Sequence, residues 1–205
     1  MLKDCILIVP ASGFSNRFGH DDKLLADFQG RPLASHMASA MAGLSFAQKI
    51  AVVPDAVSAR AAIFTAHGFD IAVNPQPERG QDGSIAAGLL FALGQKHSAA
   101  QNEALSICVM LADMPLVPAA HVEALFKMGA RYDTVKTQYE GHLQPPALFT
   151  RRAAQAWGCF AAGEAECRPK PQLKEGRVPL SFPYGEDVDT TDELLRLEAI
   201  ASDLP

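Results

Sequence analysis

Short unbroken apolar runs alternate with helix-period segments along most of this chain, and that rhythm restricts the fold more than any other feature. The CILIV run at 5–9 and the runs at 49–53, 70–73 and 105–111 read as strands. Between and after them, 33–42, 57–67, 84 to about 93, and 118–128 carry helical periodicity. Strands that are apolar throughout, rather than at every second residue, are buried on both faces. The expected architecture is therefore a doubly wound, mostly parallel Rossmann-like α/β sheet, with ligands at the C-terminal ends of its strands. The last third is less regular, with strands expected at 132–139 and 178–182, and helices at 150–160 and 191–201. The polar stretch 163–176 reads as a surface excursion. With no internal repeat and no long linker, residues 1–205 are expected to form one domain, long enough to bury roughly 70% of the unfolded surface without a disulfide or metal staple.

Composition removes several function classes. The charge sum is −5 and no basic run relieves it, which argues against a protein that holds nucleic acid by its phosphates. The longest apolar runs, 5–11 and 86–93, are too short to span a bilayer, and the N-terminal stretch makes a poor signal peptide. Four cysteines without a CxxC pair point to a reducing compartment, so the cytoplasm is the expected location.

The loop after the first strand holds the densest chemistry: Pro10-Ala-Ser-Gly-Phe-Ser-Asn-Arg-Phe-Gly19, then His-Asp-Asp-Lys23. Ala11, Ser12 and Gly13 are small enough for backbone N–H groups to approach an anion, and Gly13 tolerates positive φ. Arg17 and Lys23 add positive charge for a polyphosphate. No G-x-G-x-x-G and no G-K-[ST] occurs, so neither the dinucleotide fingerprint nor the P-loop is present. The same residues also suit an ordinary βα loop.

Asp113, in Leu-Ala-Asp-Met-Pro, follows a strand where a carboxylate can hold Mg²⁺ over a phosphate, although Asp before Met-Pro also suits a turn. In Asp187-Val-Asp189-Thr, alternation places both carboxylates on one side of an extended segment, and the same residues suit a helix start. Gly83 and Ser84 open a helix, with Ser84 either an N-cap or a ligand contact. Cys5 and Cys108 lie in buried strands, while Cys159 and Cys167 make a weak metal signal. Of the histidines, His20 and His142 fall near the expected cleft.

Taken in order, these motifs resemble the nucleotidyltransferases of molybdenum cofactor maturation, and the cytidylyltransferase branch most. The resemblance runs from Leu7 to about Leu195. It implies a nucleotide-diphospho-sugar transferase type of fold and a nucleotide site at Ala11, Ser12, Gly13, Arg17, Lys23, Asn74, Gly83 and Ser84. Lys23, Arg17 and Asp113 would be catalytic, and Asp113 and Asp189 would hold Mg²⁺. Tyr139-Glu-Gly141 and 146–149 are similar to the segment that faces the pterin, which places His142, Gln144 and Pro146 at the acceptor. Gly163-Glu164 and Arg168 are similar to a later motif, with Arg168 also at the acceptor. Asn74, Pro54 and Asp187-x-Asp189-Thr favour cytidylyl over guanylyl transfer. Departures from the family pattern are Pro10, Ser12, Asp82, Gln144-Pro145 and Glu166.

The implied reaction is transfer of CMP from CTP to molybdopterin with release of pyrophosphate, and the product would pass to a molybdenum hydroxylase. The alternatives are guanylyl transfer from GTP, cytidylyl transfer to another phosphorylated acceptor, and a non-catalytic molybdopterin carrier.

Overall fold

A computed structural model describes residues 2–14, 18, 22–94, 106–150, 152–154 and 172–204. Its main sheet has seven strands in the spatial order β5-β4-β1-β6-β8-β7-β9. These are β1 (Cys5–Pro10), β4 (Gln48–Val53), β5 (Asp70–Val73), β6 (Ser106–Val109), β7 (Thr134–Tyr139), β8 (His142–Phe149) and β9 (Glu175–Pro179). The pairs β1/β4, β1/β6, β4/β5 and β7/β9 are parallel, and β8 runs antiparallel to both β6 and β7. A two-stranded ribbon, β2 (Asp27–Phe28) and β3 (Arg31–Pro32), leads into the first helix.

Among the described residues the helices α1 (Leu33–Ala42), α2 (Ala59–Ala66), α3 (Gly80–Gly94), α4 (Ala119–Gly129) and α5 (Thr191–Ser202) follow the expected rhythm. Alternation along β1 explains the two layers. Cys5, Leu7 and Val9 pack with Met37, Met41 and Phe64, on the side of α1 and α2, whereas Ile6 and Ile8 pack with Ile85 and Ala92 of α3. Gly88 lets α3 lie close to the sheet, because a Cβ there would come 2.8 Å from Ile8 Cγ2 and 3.0 Å from Val52 Cγ2. A smaller apolar cluster joins Phe28, Leu33, Val188, Leu194 and Leu197, fixing α5 beside the ribbon.

Three expectations need correction. The third helix begins at Gly80 rather than Ser84, running on from a 3₁₀ turn at Pro77–Arg79. Its two early glycines disguised the first turn, where Asp82 instead complements the positive end of the helix dipole. The sequence offers no strand signal over 142–149, where Pro145 and Pro146 cannot donate to a ladder, yet β8 forms there. The sheet accommodates them at an irregularity: Lys136 pairs with Ala147 and Thr137 with Gln144, leaving both prolines without an opposite residue. The turn before it is Glu140-Gly141, with φ of 45° and 85°, the primed geometry that joins twisted strands. Finally, β9 lies at Glu175–Pro179 rather than at 178–182, so 175 and 176 leave the expected excursion. Of the helix expected at 150–160, residues 152–154 are helical and Thr150 precedes the helix, while 151 and 155–160, like 163–171, lie outside the described residues.

Candidate functional site

The chain moves from β1 outward through β4 to β5, then returns to place β6 on the other side of β1. The loops leaving the C-terminal ends of β1 and β6 therefore flank the switch point, where open α/β sheets form their cleft. Lys23 enters this region on a 3₁₀ turn, Lys23–Leu25, whose first N–H groups are capped by Asp22. Asp113 arrives from the β6 side. Asp189 is delivered by the segment before α5, where fully buried Val188 anchors the chain and its N–H donates to the Asp113 carbonyl at 3.1 Å. The Glu193 carboxylate accepts from the N–H groups of Asp189 and Thr190, both at 2.8 Å, and completes a capping box. The helix start anticipated for this segment and its carboxylate thus coexist.

These elements converge on one contact. Lys23 Nζ donates to Asp113 Oδ2 at 2.7 Å and to Asp189 Oδ1 at 2.8 Å. Burial works to lower the lysine pKa, but the two carboxylates outweigh it and the pKa is raised. Asp187 is raised above the usual carboxylate range by burial and then by the charge of Asp113. The second oxygen of Asp113, Oδ1, is buried and nothing among the described residues donates to it. A buried carboxylate oxygen without a donor is costly and suits a hard cation. No group of three or more His, Cys, Asp or Glu among the described residues is arranged to hold a metal. Two carboxylates nevertheless match Mg²⁺, which commonly keeps water and takes further ligands from substrate phosphates.

Beside this contact, Ser12, Asn74 and Ser84 form a buried polar knot. The two serine hydroxyls lie 2.6 Å apart, and the Asn74 amide donates to both, at 3.1 and 3.3 Å. Asn74 Oδ1 accepts from the Gln76 N–H at 3.0 Å, so this side chain is fully engaged within the protein. Ser84 is not an N-cap; it lies in the second turn of α3 and donates to the Gly80 carbonyl at 3.2 Å. Gly83 makes room for a neighbour, since a Cβ there would come 2.6 Å from Arg79 Cβ. Gly13 is different: it is not in the left-handed region, and beyond its chain neighbours no described residue lies within 4 Å of where its Cβ would be.

Sequence reading missed Arg60. It is buried, and its guanidinium donates to Asp22 and to the carbonyls of Ala11 and Gly13. The available signal was an arginine one helical turn before Ile63 and Phe64, on a face that packs inward.

On the β8 side, the residues are tied to protein more than presented to a ligand. Gln144 Nε2 donates to the Gly185 carbonyl at 2.6 Å, and the Tyr139 hydroxyl donates to Glu186. Burial and then Glu186 raise the Tyr139 pKa. Pro146 is buried and its carbonyl accepts from Thr137 Oγ1 at 2.7 Å. Because that hydroxyl gives its hydrogen to Pro146, it accepts from His121 Nε2–H at 2.8 Å, which fixes the histidine tautomer. His142 is exposed at the hairpin end. Arg17, Arg168, His20, Cys159, Cys167, Gly163, Glu164 and Glu166 lie outside the described residues. Cys5 and Cys108 are buried free thiols; burial pushes the Cys108 pKa up to about 12, in keeping with a packing role.

With the geometry established, comparison with known proteins adds a family. A profile described as MobA-like NTP transferase domain matches residues 7–169. No curated protein matches the sequence. Among solved structures, Rv0371c from Mycobacterium tuberculosis is 22% identical with a TM-score of 0.72, covering 96% of this chain and 98% of its own. A second structure of that protein is a complex with manganese, at a TM-score of 0.67. Molybdopterin-guanine dinucleotide biosynthesis protein A from Archaeoglobus fulgidus is 18% identical with a TM-score of 0.65, covering 97% of this chain and 100% of its own. 4-Diphosphocytidyl-2C-methyl-D-erythritol synthase from Anaerococcus prevotii is 12% identical with a TM-score of 0.73, covering 98% and 100%. At these identities the likeness is one of fold.

Proposed function

Since the chain belongs to the MobA-like NTP transferase domain family, a family of nucleotidyl-transferring enzymes, we propose that it moves CMP from CTP to molybdopterin and releases pyrophosphate in an Mg²⁺-dependent reaction. The observation that carries this reading is the convergence of Lys23, Asp113 and Asp189 at the switch point, beside the open backbone at Gly13.

The chemistry asks little of the protein in proton transfer. A phosphate monoester has its second pKa near 6 and is ionised at neutral pH, so the nucleophile needs no base. The barrier is repulsion between anions, which positioning and positive charge must offset. Asp113 and Asp189 would hold the metal, which supplies charge neutralisation across the phosphates when bound. The unpartnered Asp113 Oδ1 fits that assignment. Lys23 neutralises the departing pyrophosphate, and Arg17 is proposed to join it. Ala11, Ser12 and Gly13 supply the phosphate-facing backbone. Asn74 acts through the two serines whose hydroxyls it fixes. The manganese complex of the mycobacterial protein is consistent with a divalent metal in such a fold.

CTP is favoured over GTP by Asn74 and by Asp187-x-Asp189-Thr, on the family resemblance described above. His142 and Gln144, with Arg168, would face the acceptor, and molybdenum hydroxylases would consume the product. A second reading, cytidylyl transfer to a different phosphorylated acceptor, is favoured by one observation: Gln144 is tied to Gly185 and Pro146 is buried, so neither is presented as the resemblance implies.

Thermal unfolding with CTP, GTP, ATP and UTP, each with and without Mg²⁺, tests the nucleotide. A ligand at a hundred times its Kd stabilises the native state by about 2.7 kcal/mol. A shift with CTP that needs Mg²⁺ is expected. A shift with GTP alone moves the assignment to guanylyl transfer, and no shift with any of the four contradicts the reading and favours a carrier.

A further inference from the structure

Arg60 belongs to no recognised motif, yet it organises the loop on which the proposed nucleotide site rests. Its side chain projects from α2 and is 8% exposed. Nε donates to Asp22 Oδ2 at 2.6 Å, while Nη1 donates to the Ala11 carbonyl at 2.6 Å and to the Gly13 carbonyl at 2.9 Å. The other carboxylate oxygen of Asp22 accepts from the Leu24 N–H at 3.0 Å, capping the turn that begins with Lys23. One planar guanidinium thus ties the beginning of the loop to its end, a geometry that a lysine cannot reproduce.

The carbonyl contacts have a consequence on the opposite side of the backbone. In a trans peptide, the N–H points away from the C=O of the same unit. With the Ala11 and Gly13 carbonyls turned toward Arg60, the N–H groups of Ser12 and Phe14 are turned away from it. Among the described residues, no group accepts a hydrogen bond from either. The intervening Gly13 brings no side chain, and beyond its chain neighbours no described residue lies within 4 Å of where its Cβ would be. Amides a residue apart around an open concavity make an anion seat. Arg60 itself is already paired with Asp22 and covered, so its own charge is not what an incoming phosphate meets.

We propose that Arg60 is a positioning residue for the triphosphate: it holds the 11–14 turn so that the Ser12 and Phe14 amides face the phosphates, and through Asp22 it sets the point from which Lys23 projects. The proposal rests on the nucleotide reading given above.

The test is a titration of CTP and of CMP, each with Mg²⁺, into the native protein, Arg60→Gln, Arg60→Lys and Asp22→Asn/Arg60→Gln. Thermal unfolding without ligand establishes that each variant is folded. Arg60→Gln is expected to weaken CTP tenfold or more while changing CMP by no more than about threefold. Arg60→Lys should fall between native and Gln, and the double variant should be no weaker than Arg60→Gln by more than about twofold, because the two groups act as one unit. Equal losses for CTP and CMP, or unchanged CTP affinity, overturn the proposal while native binding leaves the nucleotide reading intact. Native protein that binds no nucleotide overturns the nucleotide reading instead. If Arg60→Gln does not fold, the CTP-to-CMP ratio in Arg60→Lys decides by the same criterion.

Discussion

The two halves of the sheet hold their proposed site residues in different ways. On the β5-β4-β1-β6 side, Ser12, Asn74 and Ser84 satisfy one another, and Lys23 meets carboxylates from two other parts of the chain. On the β8-β7-β9 side, Gln144 and Tyr139 are bonded to Gly185 and Glu186, the segment that carries the chain back toward Asp189. The β5-β4-β1-β6 half therefore contains most of the proposed nucleotide site, whereas the β8-β7-β9 half braces the segment that supplies its last carboxylate. A packed parallel core and a bracing hairpin should respond differently to substitution.

The largest effect should come from the contact between the halves. Lys23→Ala and Asp113→Asn are each expected to reduce turnover about 10²- to 10³-fold, the usual result of removing a group that stabilises developing charge. Steady-state pyrophosphate release measures this, and near-native turnover in either variant would contradict the catalytic role proposed for this contact. Next, Gly88→Ala should destabilise the native state by about 1–3 kcal/mol, since its Cβ would meet Ile8 and Val52 at 3.0 Å or less. Chemical denaturation checks it, and a smaller loss would show that the parallel core is less tightly packed than its geometry implies.

The bracing half gives smaller, differently distributed effects. Gln144→Ala, which frees the segment leading to Asp189, should weaken Mg²⁺-dependent CTP binding by about tenfold, the equivalent of one hydrogen bond near 1.4 kcal/mol. A change confined to the acceptor KM would show that Gln144 faces the acceptor rather than bracing that segment. The smallest effect concerns pH. Burial holds the His121 pKa below its ordinary value of 6.5, so the folded state binds a proton less readily than the unfolded chain. Its contribution is present above about pH 6.5 and is lost as pH falls through the folded pKa. Stability should therefore decline from pH 7 to pH 5, and less steeply in His121→Gln. His36, also lowered by burial, would supply the residual slope.

The same division explains what could be read from sequence. The parallel half announced itself because continuous apolar runs and helix periods are local signals, and α1 and β5 fall at their expected limits. Lys23, Asp113 and Asp189 were legible as chemistry, but their meeting depends on buried Val188 and the capping box of α5, which no local pattern displays. Strand β8 was hidden by its two prolines, which the sheet tolerates only at the irregularity opposite Lys136 and Thr137. Arg60 was hidden in an alanine-rich helix, since its partners lie 38 and more residues away in sequence. Non-local polar contacts are set by tertiary packing, and a single sequence carries no periodicity for them.

Turnover with CTP labelled at the α-phosphate, using molybdopterin as acceptor and Mg²⁺ present or withheld, tests the proposed transfer itself. Label is expected to enter the pterin product with one pyrophosphate released per transfer, and both are expected to be lost without Mg²⁺ and in Asp113→Asn. Binding of CTP and molybdopterin with no transfer and no pyrophosphate, in native protein with the metal supplied, would contradict it.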